Sequence, residues 1–443
     1  MQRADFAPSE FQCAAVAAEH RRGIRSFRNF NQQHGKITYP VNRRYFYLLL
    51  LCLIAIITYL DRVCISVAGP RMQDALHISP EHWGLVGTAF LLGYAIFEIP
   101  SGHLGDTLGA RRVLTRIVLW WSVFTAVTGA VPLFPLLLLT RFLFGAGEAG
   151  AFPNASVAIA NWFPPATRGR ALGLFIMSSQ IGGALSPLLV VPIQMRFGWR
   201  ASFFVFALLG AVWAMVWYWQ FRDHPVAAQA KTSEHDQTPW RSILACRSLW
   251  VIMAVTFGYV YTMGFFQTWL HTYLVKGRGF TEASLVLSAL PYFFGAAANL
   301  LGGLTCDWLV TRTGVQWSRR GVGMAGLALA AVSVGLTIFA STPMAVILCL
   351  SFAYAGITFQ QPAVFAACLD IGGVRGGVVS GFMNTSGQIG AAISSAVFGY
   401  IVKAYGSYNA PLVPMAVLLA IGSLLWLRVN VLARIAAETK VYT

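Results

Sequence analysis

Gly102-His103-Leu104-Gly105-Asp106-Thr107-Leu108-Gly109-Ala110-Arg111-Arg112 is a short polar break between two long apolar runs. A degraded copy returns in the second half of the chain as Gly302-Gly303-Leu304-Thr305-Cys306-Asp307-Trp308, followed by Arg312, Gly314, Arg319 and Arg320. Each copy has a Gly-rich helix end, then an Asp, a Gly and an Arg pair. An element repeated at corresponding places means two related halves, each folded in the same way.

Outward from these breaks the chain is apolar. Hydrophobic residues make up 57% of the 443 residues and charged residues only 11%. A water-soluble chain of this length needs more polar surface than that. Twelve apolar stretches can be placed near 45–66, 83–104, 112–131, 135–157, 170–192, 201–221, 248–275, 284–307, 321–341, 343–367, 376–402 and 410–431. Many reach the roughly 20 residues that cross a bilayer core. In lipid only helices and closed barrels satisfy the backbone, and runs this long and unalternating predict helices. The expected fold is an all-α polytopic membrane protein of twelve transmembrane helices in two pseudo-symmetric six-helix bundles. Residues 1–44 read as a basic cytoplasmic tail, 45–221 as the first bundle, 222–247 as a polar linker, 248–431 as the second bundle and 432–443 as a second tail.

The formal charge of +16 raises the question of nucleic acid. Its distribution argues against that reading, because the excess lies in short segments between apolar runs. With a cytoplasmic N-terminus, roughly 24 of the 32 basic residues fall in tails and inner loops, an asymmetry that sets orientation. Both termini are therefore expected in the cytoplasm, and the protein in the inner (plasma) membrane. The first forty residues lack the apolar core of a secretory signal. Their Arg21, Arg22, Arg25 and Arg28 suit a tail lying on anionic lipid, and an Arg-rich stretch also suits an organellar presequence. The scattered Cys13, Cys52, Cys64, Cys246, Cys306, Cys349 and Cys368 form neither a CxxC pair nor a metal-ligand spacing.

Four charged residues stand out within predicted helices: Asp61, Arg62, Arg141 and Glu148. A charge there costs at least about 2.5–3.5 kcal/mol, so such a residue faces a cavity or a partner. A guanidinium can clamp a carboxylate with two parallel hydrogen bonds, which makes Arg62 the candidate contact for an organic anion. A carboxyl in a dry cavity beside an arginine can switch its protonation, which makes Asp61 and Glu148 the candidates for proton coupling. Asp61 and Arg62 point about 100° apart, whereas two helical turns place Arg141 and Glu148 on one face, where Arg141 can tune Glu148. A static ion-pair network remains the alternative.

The loop quoted first resembles the Gly-x-Leu-x-Asp-x-x-Gly-x-Arg-Arg signature of the major facilitator superfamily, and the likeness extends over roughly residues 45 to 435. The resemblance implies that Asp106, Arg111 and Arg112, with Asp307, Arg319 and Arg320 as weaker counterparts, form cytoplasmic contacts that gate the conformational change. Tyr59-Leu60-Asp61-Arg62-Val63-Cys64-Ile65-Ser66-Val67-Ala68 is similar to the first helix of the anion:cation symporter family. Arg141-Phe142-Leu143, Glu148 through Asn154, Phe197-Gly198-Trp199-Arg200 and Thr268-Trp269-Leu270 add to that likeness. Membership implies a substrate role for Arg62, hydrogen bonds from Tyr94 and Gln180 to substrate hydroxyls, and a contact from Asn384 in the second bundle. An aromatic residue expected in helix ten is not evident in Gln360-Gln361-Pro362-Ala363-Val364-Phe365, and His271 stands where relatives often have Pro. Glu98 is ambiguous between the cavity mouth and the loop signature.

The resulting expectation is proton-coupled symport of a sugar acid (hexonate, hexuronate or aldarate) or a small dicarboxylate, with protons as coupling ion, no other cofactor and no metal. The transporter is expected to act as a monomer in the lipid bilayer. The alternative is a proton-coupled antiporter of drugs or metabolites, although Gly182, Gly183 and Pro187 lack the Gly-Pro pair usual in helix five of such exporters. No metal cluster, nucleotide loop or nucleophile elbow points to an enzyme.

Overall fold

A computed structural model describes residues 41–163, 165–223, 243–281, 283–372 and 376–432. The tail before residue 41, most of the 222–247 linker and the tail after 432 lie outside the described residues, as does the side chain of Asp106. The described chain has no strand and folds into twelve transmembrane helices. They are α1 (Val41–Ala75), α2 (Pro80–Leu108), α3 (Ala110–Ala130), α4 (Phe134–Glu148, then Ala151–Trp162), α5 (Pro165–Phe197) and α6 (Trp199–Gln220). After the linker come α7 (Arg247–Thr268, extended by Leu270–Thr272 and a π turn, Tyr273–Gly277) and a 3₁₀ segment, Ala283–Ala289, leading into the continuous stretch Leu290–Phe339. Gly314, with φ 81° and ψ 167°, divides that stretch into α8 and α9. The chain ends with α10 (Pro343–Gly372), α11 (Gly376–Tyr405) and α12 (Leu412–Leu425, closed by the 3₁₀ turn Trp426–Arg428). By compactness the chain divides between Tyr47 and Leu48, so the first turns of α1 form one unit and everything from Leu48 onward the other.

Among the described residues, seven helical stretches meet the length and apolarity of a membrane span, and one of them, Ser284–Phe339, is long enough for two. The remainder fall short for local reasons. α4 is split and α12 has only 14 residues, while α11 carries polar groups such as Asn384, which meets Glu98 of α2. Large apolar side chains on the outer faces stand exposed, among them Leu208, Trp219, Val332 and Leu424. A water-soluble monomer rarely shows such continuous patches, and lipid is their natural cover.

Packing follows the internal duplication. α2 and α4 cross where a Cβ on Gly93 or Gly145 would strike the opposite backbone, and Gly302 meets the Phe359 backbone where α8 crosses α10. Likewise α3 packs on α6, with Gly129 against Phe203, and α9 packs on α12, with Gly323 under the Trp426 ring. Small residues let helices approach closely in lipid, where burial from water no longer drives association.

The two halves meet along α1–α7, α2–α11 and α5–α8. An offset of six helices turns α2 into α8 and α11 into α5, so the second and third contacts are symmetry mates. At the α2–α11 crossing Gly84 and Gly87 lie against Ser395. Thr88 Oγ1 donates to Ala392 O at 2.9 Å and Ser395 Oγ to Gly84 O at 2.8 Å.

The sequence predicts a continuous helix four, and the structure corrects this. Pro153 has no N–H to give Ala149, and its ring excludes the carbonyl four residues back. The chain breaks at Gly150, with φ 90° and ψ −4°, a left-handed conformation that favours glycine. A Cβ there would also press on Ser101 Cβ at 2.6 Å. Asn154 Nδ2 stitches the break by donating to Gly150 O at 2.7 Å and to Ser101 O at 3.2 Å. Glu148 is thereby the last residue of the first segment. Helix seven departs in the same sense: it leaves regular α geometry at Trp269 and finishes in wider turns.

Candidate functional site

α1 and the first segment of α4 bring the four membrane-embedded charges into one cluster. Arg62 Nε donates to Glu148 Oε1, with 10% of the arginine side chain and 1% of the glutamate exposed. The Arg62 guanidinium is held among aromatic faces, 4.7 Å from the Tyr94 ring centroid, 5.4 Å from Phe90 and 5.5 Å from Tyr59. Arg141 shares the Phe90 ring at 5.0 Å and lies 4.4 Å from Phe144. Such stacking supports a cation without consuming its N–H donors. Asp61 is buried, with neither carboxylate oxygen hydrogen-bonded among the described residues, and it lies within electrostatic reach of Glu148 and Arg141. Arg62 Nη2, Arg141 Nε and Glu148 Oε2 are also buried without a hydrogen-bond partner among the described residues. Two carboxylates therefore balance two guanidiniums, and donors and acceptors remain open on both sides. Beside them is a cavity of about 10 Å³, lined by Arg62 and Arg141 from the first half and by Gln267 and Thr268 from the second. That is the room one water needs.

The polar candidates sit on opposite walls but do not all point at Arg62. Tyr94 is buried beneath the guanidinium. Gln180 Oε1 on α5 accepts from the Tyr354 hydroxyl on α10 at 3.1 Å. Tyr354 is an aromatic residue of helix ten that inspection of residues 360–365 overlooks. It lies nearly two turns earlier, stacked edge-on to Phe266 at 4.8 Å and tilted on Tyr292 at 5.1 Å. Gln361 bonds Asn299, whereas Gln360 is turned toward Gly326 on α9. Asn384 Nδ2 donates to Glu98 Oε1 at 2.8 Å, so Glu98 faces the second half across the α2–α11 seam.

His271 is buried between the halves, with Nδ1 2.9 Å from Ser66 Oγ on α1 and Nε2 2.7 Å from Ser288 Oγ ahead of α8. Gln73 Nε2 donates to Thr272 Oγ1 at 2.8 Å one step outward. Still farther out, Lys276 pairs with Asp74 at 2.7 Å and Lys403 with Glu81 at 2.8 Å. These contacts join the halves at the end of the bundle opposite the duplicated loops. The hydrogen bond from Lys403 holds the Glu81 carboxyl below its ordinary value of 4.5, and Glu81 in turn raises the lysine. In sequence they read as ordinary loop charges, because nothing local marks residues that meet only after the halves assemble.

The Arg residues of the duplicated loops stay within their own halves. Arg111 Nε donates to Tyr218 O at 2.8 Å, and its backbone N–H to Asp223 Oδ1 at 3.1 Å. In the second half Arg320 Nε donates to Val429 O at 2.9 Å, and Arg319 pairs with Asp370 at 3.0 Å. Each loop is thus tied to the end of the last helix of its bundle. Arg112 and Asp307 are exposed.

A family model described as Major Facilitator Superfamily matches residues 51–395. The chain belongs to the Major Facilitator Superfamily. Members are transporters, and this protein is a membrane-spanning transporter rather than an enzyme. It is 32% identical to a probable sulfoacetate transporter of Cupriavidus necator, over 88% of this chain and 94% of that one. It is 30% identical to the hexuronate transporter of Bacillus subtilis, over 82% and 89%, and 29% identical to a probable L-galactonate transporter of Escherichia coli, over 86% and 88%. Among solved structures, a bacterial homologue of the human lysosomal transporter Spinster superposes with a TM-score of 0.73 at 19% identity, covering 88% of this chain and 98% of that one. That likeness establishes the superfamily fold.

Proposed function

We propose that this transporter carries a small organic anion, a sugar acid or a short dianion, together with protons by alternating access. The observation that carries the reading is the ion pair of Arg62 with Glu148 inside the membrane. A substrate carboxylate that binds Arg62 must displace a carboxylate already there. Protonation of Glu148 removes the competitor and frees the guanidinium for a bidentate contact. Asp61, with neither oxygen hydrogen-bonded among the described residues, is costly to keep charged in this setting and is assigned the second proton-carrying role, tuned by Arg141. Tyr94 and Gln180 face the substrate from the first half and Asn384 from the second. Relatives named for sulfoacetate, hexuronate and L-galactonate support an anionic substrate.

Closure of the outer end by Asp74–Lys276 and Glu81–Lys403 fits one of two alternating forms, in which the substrate path leads inward. In the opposite form the loop residues Asp106, Arg111, Arg112, Asp307, Arg319 and Arg320 hold the cytoplasmic ends together. The test is uptake into proteoliposomes of galacturonate, galactonate, glucarate and sulfoacetate, with and without an acid-outside pH gradient. Accumulation of one of these anions that the gradient drives supports symport. Accumulation indifferent to the gradient, or cation efflux driven by it, overturns the proposal.

A further inference from the structure

A lateral groove of about 640 Å³ runs between α3 and the cytoplasmic end of α6, and none of Arg62, Tyr94, Gln180 and Asn384 lines it. Its lining on α3 follows one helical stripe, with Arg112 and Arg116 at the cytoplasmic end and then Leu119, Trp120 and Val123 toward mid-membrane. Tyr218 of α6 forms the opposite wall at the charged end. From Arg112 to Val123 the helix rises about 16 Å, close to the ~15 Å of hydrocarbon in one leaflet. The groove therefore matches a lipid in both length and polarity, cationic at the headgroup and apolar along the chains.

Charge decides which lipid. Arg111 is engaged by Tyr218 and Asp223, but neither Arg112 nor Arg116 has an acidic partner among the described residues. Both are exposed. Two guanidiniums without an acidic partner among the described residues favour, at the inner interface, a headgroup with net negative charge over a zwitterionic one. We propose that this groove is a binding site for an anionic phospholipid of the cytoplasmic leaflet.

The test uses the full chain, purified in detergent, supplied with phosphatidylglycerol or phosphatidylcholine of the same acyl chains and examined by native mass spectrometry and thermal shift. The expected result is several-fold greater retention of phosphatidylglycerol, with a rise in Tm that inorganic phosphate does not reproduce. Arg116→Gln removes a headgroup contact, and Val123→Trp fills the apolar wall; each should lower retention several-fold. Val332→Trp, an equally exposed change on α9 (61%, against 58% for Val123), should not. Equal retention of the two lipids, unchanged retention in either groove variant, an equal loss in Val332→Trp, or the same Tm rise with inorganic phosphate would each overturn the proposal.

Discussion

Arg62 on α1 and Glu148 at the end of the first segment of α4 form an ion pair although 86 residues separate them. The pair exists because Gly150 breaks α4 immediately after Glu148, and because Tyr59, Phe90 and Tyr94 hold the guanidinium in place. It joins the residue assigned to the substrate with a residue assigned to the proton.

Replacing the guanidinium separates charge from shape. Arg62→Lys keeps the charge but loses the planar fork. Affinity for the transported anion is expected to fall ten- to hundredfold, the equivalent of about 1.5–3 kcal/mol for a charge-assisted contact. Arg62→Ala should be worse and less stable, because it leaves the Glu148 carboxylate buried without its hydrogen-bonded guanidinium and two carboxylates facing Arg141 alone. Calorimetric titration of both variants checks this, and unchanged affinity in the lysine variant would remove Arg62 from the substrate site.

Glu148→Gln holds a permanently neutral group against Arg62. Exchange of labelled for unlabelled anion across the membrane should persist, while accumulation driven by a pH gradient disappears. Proteoliposomes loaded with unlabelled substrate distinguish the two, and gradient-driven accumulation at the wild-type level would contradict the assignment.

The Tyr354 hydroxyl joins α10 to Gln180 on α5. Tyr354→Phe removes one buried inter-half hydrogen bond and leaves an acceptor unsatisfied, a loss of about 1 kcal/mol. If the bond belongs to one of the alternating forms, the balance between forms should move about fivefold. Single-molecule distance measurements between labels at the outer ends of α1 and α7 would show it, whereas an unchanged distribution would mean that the bond survives the transition.

The outer ion pairs make a different kind of prediction. Glu81 has its carboxyl held below the ordinary 4.5 by Lys403. Its contribution is therefore complete above the ordinary value and is lost only as pH falls through the lower, folded one. Across about pH 5–8 the latch keeps a constant charge, so Glu81→Gln should leave the shape of the pH profile intact even if it changes the rate. Removing both cations, in Lys276→Ala with Lys403→Ala, should raise labelling of a Gln73→Cys probe by an impermeant thiol reagent from outside. Unaltered labelling would show that the outer closure does not depend on these two ion pairs.

Much of this was legible in the sequence, for identifiable reasons. Apolar length announced the spans, and the duplicated loop announced the halves, because both are local patterns. Asp61, Arg62, Arg141 and Glu148 stood out because a charge inside a lipid-spanning helix has no inexpensive explanation. The break at Gly150 was written in Gly150 and Pro153, but the length of the surrounding apolar run masked it. Tyr354 was overlooked because one more aromatic in an apolar helix carries no signal until Gln180 is seen opposite it. The links of His271 to Ser66 and Ser288, of Glu98 to Asn384, and of the two outer ion pairs join residues far apart in the chain. Helical periodicity orders residues along one helix and does not report which helix from the other half will face them.

Exchange of a proton for the Glu148 carboxylate at Arg62 can be measured without transport. Substrate is added to the purified protein in weakly buffered solution near neutral pH, and the proton change is read with a pH indicator. Binding of galactonate, galacturonate or sulfoacetate by the wild type should withdraw protons from solution, and Glu148→Gln should bind the same anion while withdrawing fewer. Binding with no proton uptake in the wild type, or with equal uptake in both, would contradict the account.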